Sequence, residues 1–215
     1  MLFRSPQPIY PTPVVGMVGL IPDLKKVCGQ GWQDEGDLIY LLGVGTHGTG
    51  EGAVTLGGSE YLKHIHQTVA GQPPKTDVAL ELVVQAACRY GIRQGWIRSA
   101  HDCAEGGIAI ALAESCISGK KGANVAITQG QKRLDTLLFE EGGARILVSV
   151  SAGNKAVWET YCETQLANRV HYLGTVTSAD SPLYISTETG QVVINGVVAV
   201  LKQAWSSAIE NALAV

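Results

Sequence analysis

The sequence predicts an α+β fold, a mixed sheet backed by helices on one side. Three observations carry this expectation. Short aliphatic and β-branched runs read as buried strands, and amphipathic stretches opened by cap residues lie between them. The order is irregular and closes on a hairpin, unlike a regular βαβ alternation. The 215 residues are 46% hydrophobic and 16% charged, which suits a chain that buries a sizeable core.

The elements follow in order. The first ten residues show no periodicity and contain Pro6 and Pro8. "TPVVGMVGLI" (12–21) then predicts a buried strand stopped by Pro22. Residues 22–36 read as a short helical turn and a loop, and "DLIYLLG" (37–43) as a second buried strand. A Gly/Thr-rich loop spans 43–58, after which Ser59 is the N-cap of a helix closing at Gly71. Thr76 or Asp77 caps a longer helix whose Leu80, Val83, Val84, Ala87 and Cys88 share one face. "WIRSA" (96–100) is a strand running into "HDCAEGGIAIALAES" (101–115), where a helix begins. Strand 124–127, helix 134–140, strand 144–150, helix 154–165 and strand 169–176 follow. A hairpin (182–187 with 191–196) and a helix over 198–214 complete the chain. A composition break at Gly31–Gly36 places a domain boundary there, giving units 1–36 and 37–215.

The net charge of −3 lacks the basic footprint of a nucleic-acid binder, and no apolar run approaches the length of a membrane span. Cys28, Cys88, Cys103, Cys116 and Cys162 are scattered without a C-x-x-C pair, which predicts reduced thiols in a cytoplasmic protein. "GVGTHG" (43–48) satisfies G-x-G-x-x-G, yet no helix opens at its last glycine, so a dinucleotide site is not expected. His64 and His66 project about 200° apart on a helix and cannot share a metal.

Asp102 and Glu105 stand three apart before Gly106 and Gly107. The spacing is that of a capping box, but it leaves the glycines unexplained, each costing about 1 kcal/mol in a helix relative to alanine. Two missing side chains leave backbone N–H groups bare for close approach by a neighbouring strand or by phosphate. "LLFEEGGARILVSV" (137–150) places Glu140, Glu141, Gly142 and Gly143 between a helix and a strand, with Arg145 beside them. A glycine helix end accounts for this pattern, and so does a cation–phosphate site.

Taken together, "YPTPVVGMVGLI", "GDLIYLLG", "LGGSEYL", "RSAHDCAEGGIAIALAE", "RLDTLLFEEGGARILVSV" and "LKQAWSSAIENAL" resemble, in order from about Pro8 to Val215, the C-terminal portion of the phosphoribosylformylglycinamidine synthase family. The glycine-rich helix start is similar, more distantly, to that of aminoimidazole ribonucleotide (AIR) synthetase, selenophosphate synthetase and thiamine-monophosphate kinase. The resemblance implies an AIR synthetase C-terminal-domain-like fold over 37–215, with 1–36 the remnant end, including one strand, of an ATP-binding domain. It implies an ATP-dependent ligase of purine biosynthesis, with ATP and magnesium as cofactors. That enzyme converts formylglycinamide ribonucleotide and glutamine-derived ammonia to the amidine, ADP and phosphate. The implied partners are the N-terminal part of the synthase, a glutaminase subunit and a small accessory subunit, with no nucleic acid and no membrane. By position Asp102 corresponds to a magnesium ligand in the equivalent motif of the family's first half, and Glu140 to Gly143 align with a first-half loop that touches substrate; the candidate nucleotide or phosphate contacts are Gly106, Gly107, Glu141, Gly142 and Gly143. Gly142 and Gly143 replace polar residues of the family pattern. The family's catalytic histidine and nucleotide lysine precede the matched region, so the expectation is a tail that is inactive alone, binds no nucleotide by itself and self-associates. The alternatives are a structural or auxiliary-nucleotide module of a split synthase, and a kinase-like relative using Asp102 and Glu141 around magnesium.

Overall fold

A computed structural model describes residues 13–46 and 53–213. Seven strands form one sheet: β1 (Leu38–Gly43), β2 (Ile97–Asp102), β3 (Ala123–Ile127), β4 (Arg145–Val150), β5 (Val170–Val176), β6 (Leu183–Thr187) and β7 (Val192–Gly196). Their order is β2-β4-β1-β5-β3-β6-β7, antiparallel throughout except for the parallel β3–β6 pair. The helices are α1 (Glu60–His66), α2 (Val78–Gln94), α3 (Gly107–Gly119), α4 (Leu134–Phe139), α5 (Lys155–Gln165), α6 (Val198–Ser206) and α7 (Ala208–Leu213). None of the described helices is long and apolar enough to cross a membrane.

The α+β mixed sheet is as expected, but helices cover both of its faces rather than one. The reason is visible in β1, whose six residues are all buried. Alternation sends Leu38, Tyr40 and Leu42 into one core with Leu80, Val84 and Ala87 of α2 and Trp158 and Cys162 of α5. Ile39 and Leu41 enter the opposite core with Ile108 and Leu112 of α3, Leu137 of α4 and the strands β3 and β6. A central strand buried on both faces has to be apolar at every position, and "LIYLLG" is.

Three further expectations are corrected. Residues 13–21 form no strand; Val14, Met17, Val18 and Leu20 are more than nine-tenths exposed. A β-branched run becomes a strand only beside a backbone that takes its N–H and C=O groups, and no described strand lies there. The helix from Ser59 stops at His66, because Gln67 turns left-handed (φ 51°) and its N–H bonds the Leu62 carbonyl. The last helix breaks at Ser207, where Ser206 and Ser207 both send hydroxyls to the Gln203 carbonyl at 3.3 and 2.8 Å, competing with the helical ladder.

The five cysteines are free, and burial pushes the thiols of Cys88, Cys103 and Cys116 up to about 11 and that of Cys162 to about 12. Such thiols pack as small hydrophobes and stay inert. At the entry to β1, Asp37 is 4% exposed, and burial raises its carboxyl above the ordinary 3.8. The folded chain then holds a proton that the unfolded chain releases at lower pH, so stability falls as pH rises from 3.8 through the raised value. Asp37→Asn removes that fall and leaves a chain at least as stable as the parent at neutral pH. Thermal midpoints compared in acid and at neutrality read it directly.

Candidate functional site

The N-termini of α1 and α3, the end of β2 and the α4–β4 connection converge on one corner. The carboxylate at its centre is Glu141. Its Oε1 accepts from the Gly106 N–H at 2.8 Å and from the Glu60 N–H at 2.9 Å, so one side chain holds the starts of two helices. The Glu141 backbone is fixed in turn by a two-bond bridge to Thr55, at 2.9 Å in each direction. Both helix termini have a positive dipole end that favours this anion. Glu60, one position into α1, has its own carboxyl held below the usual range, chiefly by the Lys63 ammonium.

The capping box expected from Asp102 and Glu105 does not form. The residue before α3 is Gly106 and no side chain of that local stretch caps it, while Asp102 and Glu105 are exposed. The box needs its first residue at the N-cap, but the N-cap lies four residues beyond Asp102. The glycines explain the shift: Gly106 and Gly107 are both left-handed, at φ 75° and 64°. A Cβ on Gly107 would stand 2.6 Å from the Glu140 carbonyl oxygen and 2.9 Å from that of Leu138. The close approach anticipated at this terminus is therefore made by the end of α4, not by a neighbouring strand. Glu141→Ala leaves two partly buried N–H groups without an acceptor and costs about 2 kcal/mol. Faster amide exchange at Gly106 and Glu60, beyond that of the chain as a whole, checks it.

Two clefts meet at Asp102. The larger, about 440 Å³, is lined by Glu60, His64, His101, Asp102, Glu105 and Glu114 together with Gly106. His101 is held at both nitrogens, Nε2 at 2.8 Å from Glu114 and Nδ1 at 3.4 Å from Asp102. His64 pairs with Glu60 at 2.8 Å while His66 edges onto the Tyr61 ring, so these two histidines face different partners. Among the described residues no three of His, Cys, Asp and Glu are grouped to hold a metal ion. Magnesium is commonly bound by one or two carboxylates together with phosphate oxygens and water, and Asp102, with a side chain 73% exposed, suits a single ligand of that kind.

The smaller cleft, about 260 Å³, lies between Glu81, Gln85, Asp102 and Cys103 on one side and Gly142–Ile146 on the other. A Cβ on Gly142 would meet the Ala53 carbonyl at 2.3 Å, and one on Gly143 the Glu81 carboxylate at 2.3 Å. Glu81 already accepts from the Ala144 N–H at 2.6 Å. Behind this loop the carboxylate of Glu140, 2% exposed, takes Lys132 at 2.7 and 3.0 Å and stands 3.9 Å from Arg145, whose side chain is fully buried. The structural roles of Glu81, Lys132 and Glu140 escape a sequence reading. Their only signal there is acid and base at element ends, which ordinary surface pairs share. Of the glycine-rich "GVGTHG" run, residues 47 and 48 lie outside the described residues; Gly43 (φ 92°) and Gly45 pack against the Ala144 carbonyl and the His171 ring. The next helix among the described residues opens at Glu60.

Residues 34–183 match the family described as AIR synthase related protein, C-terminal domain. The chain is 60% identical to the phosphoribosylformylglycinamidine synthase subunit PurL of Cyanothece sp., over 97% of this chain and 27% of that protein. It is 53% identical to the same subunit from a Synechococcus sp., over 97% of this chain and 26% of the relative. The chain thus spans about a quarter of the length of these relatives. Among solved structures, T. maritima PurL complexed with FGAR superposes with a TM-score of 0.63 at 15% identity, covering 83% of this chain and 30% of that one. PurLQS from Thermotoga maritima gives 0.61 at 16% identity, covering 83% and 28%. At such identities the likeness is one of fold.

Proposed function

The chain belongs to the AIR synthase related protein family by its C-terminal domain, and from that premise we propose that it provides this domain to a phosphoribosylformylglycinamidine synthase. The observation that carries the proposal is 60% identity to a curated synthase subunit along 97% of the chain. The reaction is then the ATP-dependent conversion of formylglycinamide ribonucleotide and ammonia to the amidine, ADP and phosphate. In this reading residues 1–36 finish the preceding ATP-binding unit and residues 37–215 form the C-terminal domain. The exposed apolar run from Val14 to Leu20 supports it, because such surface is stable only when covered. Left uncovered, it drives self-association.

Asp102 offers its exposed carboxylate to magnesium, which supplies charge neutralisation for phosphate when bound. Gly142 and Gly143 line the smaller cleft where phosphate approaches, while Gly106, Gly107 and Glu141 frame the corner. Among the described residues, Lys and Arg are absent from the lining of the larger, carboxylate-rich cleft. That favours a structural or auxiliary-nucleotide role within a longer enzyme over an independent kinase-like one, since a triphosphate needs cations to hold it. The partners proposed are the remainder of the synthase, a glutaminase subunit and a small accessory subunit; a solved PurLQS assembly of a fold relative supports the choice. The five free thiols support a cytoplasmic setting.

The test replaces the matched segment of the Cyanothece subunit with this chain and measures amidine formation from formylglycinamide ribonucleotide, ATP and ammonia. The chimera is expected to turn over within about tenfold of the parent subunit, a loss of no more than 1.4 kcal/mol in the barrier. A folded chimera without turnover contradicts the proposal.

A further inference from the structure

We propose that the segment α6–α7, through Trp205, Ile209 and Leu213, seats in an apolar groove on the rest of a synthase subunit, an assignment that rests on the synthase reading. The starting observation is a buried stripe that outruns its core. Val198 and Leu201, early in α6, pack against the core that holds Ile108 and Leu112 of α3. The same spacing of three and four residues continues through Trp205, Ile209 and Leu213, which are 64%, 75% and 80% exposed. The helix is interrupted at Ser207, yet the Ser207 N–H donates to the Gln203 carbonyl at 3.0 Å and the Asn211 N–H to the Ser207 carbonyl at 2.9 Å. The helical turn is kept across the junction, so both halves of the stripe lie on one side. No residue of α7 is buried. A helix of that length draws its stability from packing, not from its own hydrogen bonds.

Size and shared sequence decide the occupant. A second copy laid antiparallel on the stripe would set three large side chains against three. That falls well short of the ~800 Å² per partner of a standard interface. A groove in a larger body encloses the same three anchors from several sides, as grooves do for amphipathic helices. The stripe also lies in sequence shared with a much longer protein. The match to the Cyanothece subunit covers 97% of this chain, which takes it into α7, and only 27% of that subunit. The rest of such a subunit is a body of the required size. Lys202 and Glu210 are exposed on α6 and α7 beside the anchors. Charge complementarity then gives the groove a polar rim, with an acid facing Lys202 and a base facing Glu210.

The experiment measures amide exchange over residues 198–213 in the isolated full chain and in the chimeric Cyanothece subunit, with turnover read on the same chimera. The amides of α7 are expected to exchange freely in the isolated chain and to slow by about tenfold or more in the chimera. Ile209→Asp should leave the thermal midpoint of the isolated chain unchanged and abolish the slowing in the chimera. Slowed exchange without turnover supports the docking and contradicts the synthase reading. Free exchange of α7 in the folded chimera overturns the docking, with or without turnover. Protection that grows with the concentration of the isolated chain assigns the stripe to a second copy and also overturns it. If the chimera does not fold, the unaltered Cyanothece subunit decides: slowed exchange over the segment matched to α7 supports the proposal, and free exchange there overturns it.

Discussion

Gly107→Ala is expected to destabilise the chain by about 3 kcal/mol or more, summing the left-handed backbone of an L-residue and an overpacked contact. The position is strained for any side chain at φ 64°, and its Cβ would meet two backbone oxygens, of Glu140 and Leu138, that cannot rotate away. Moving them displaces the end of α4 and with it Glu141, so its bonds to the starts of α1 and α3 are lost together. Gly106→Ala is the informative comparison. It is equally left-handed at φ 75°, but its nearest obstacle is the Ile110 side chain, which can shift. Its cost should be about 1–2 kcal/mol, mostly from the backbone. Urea unfolding of the two variants separates them: a smaller loss for Gly107 than for Gly106 would show that the close approach of α4 is not what the glycine serves.

Glu140→Gln carries the other large effect, about 3–5 kcal/mol, because removing one charge of a buried cluster strands the others. Glu140 is the carboxylate against which Lys132 and the fully buried Arg145 both rest. The amide keeps the shape and removes the negative charge, so the loss reports electrostatics and not packing. Lys132→Met should cost clearly less, since Glu140 then still faces Arg145. Chemical denaturation of both variants at neutral pH reads the difference, and equal costs would place the effect elsewhere.

These two residues also show what the sequence reveals and what it hides. The strands and helices of the two cores announce themselves by local pattern. "LIYLLG" is apolar at every position because both faces of β1 are covered, and Asp77 and Ser59 stand where their helices begin. The Gly106–Gly107 pair is legible as a demand for unusual backbone, but not which group comes close. That group is the α4 terminus, thirty-odd residues along the chain. The capping box fails for the same reason. Asp102 and Glu105 have the local spacing, yet Glu141 has the tertiary position, and a spacing rule cannot see a carboxylate delivered from another element. The apolar run 13–21 errs in the opposite direction, since strand propensity without a partner backbone makes no sheet.

Labour is divided at this corner: Glu141 builds it, and Asp102, whose exposed carboxylate stands 3.4 Å from His101 Nδ1, is open to a ligand. Asp102→Asn in the chimeric synthase, with its thermal midpoint and the magnesium dependence of its turnover recorded on the same preparation, tests that most directly. The account predicts an unchanged midpoint and a raised magnesium requirement, with turnover reduced by about tenfold or more at limiting metal. A midpoint lowered as far as that of Glu141→Ala, with magnesium dependence unaltered, would contradict it.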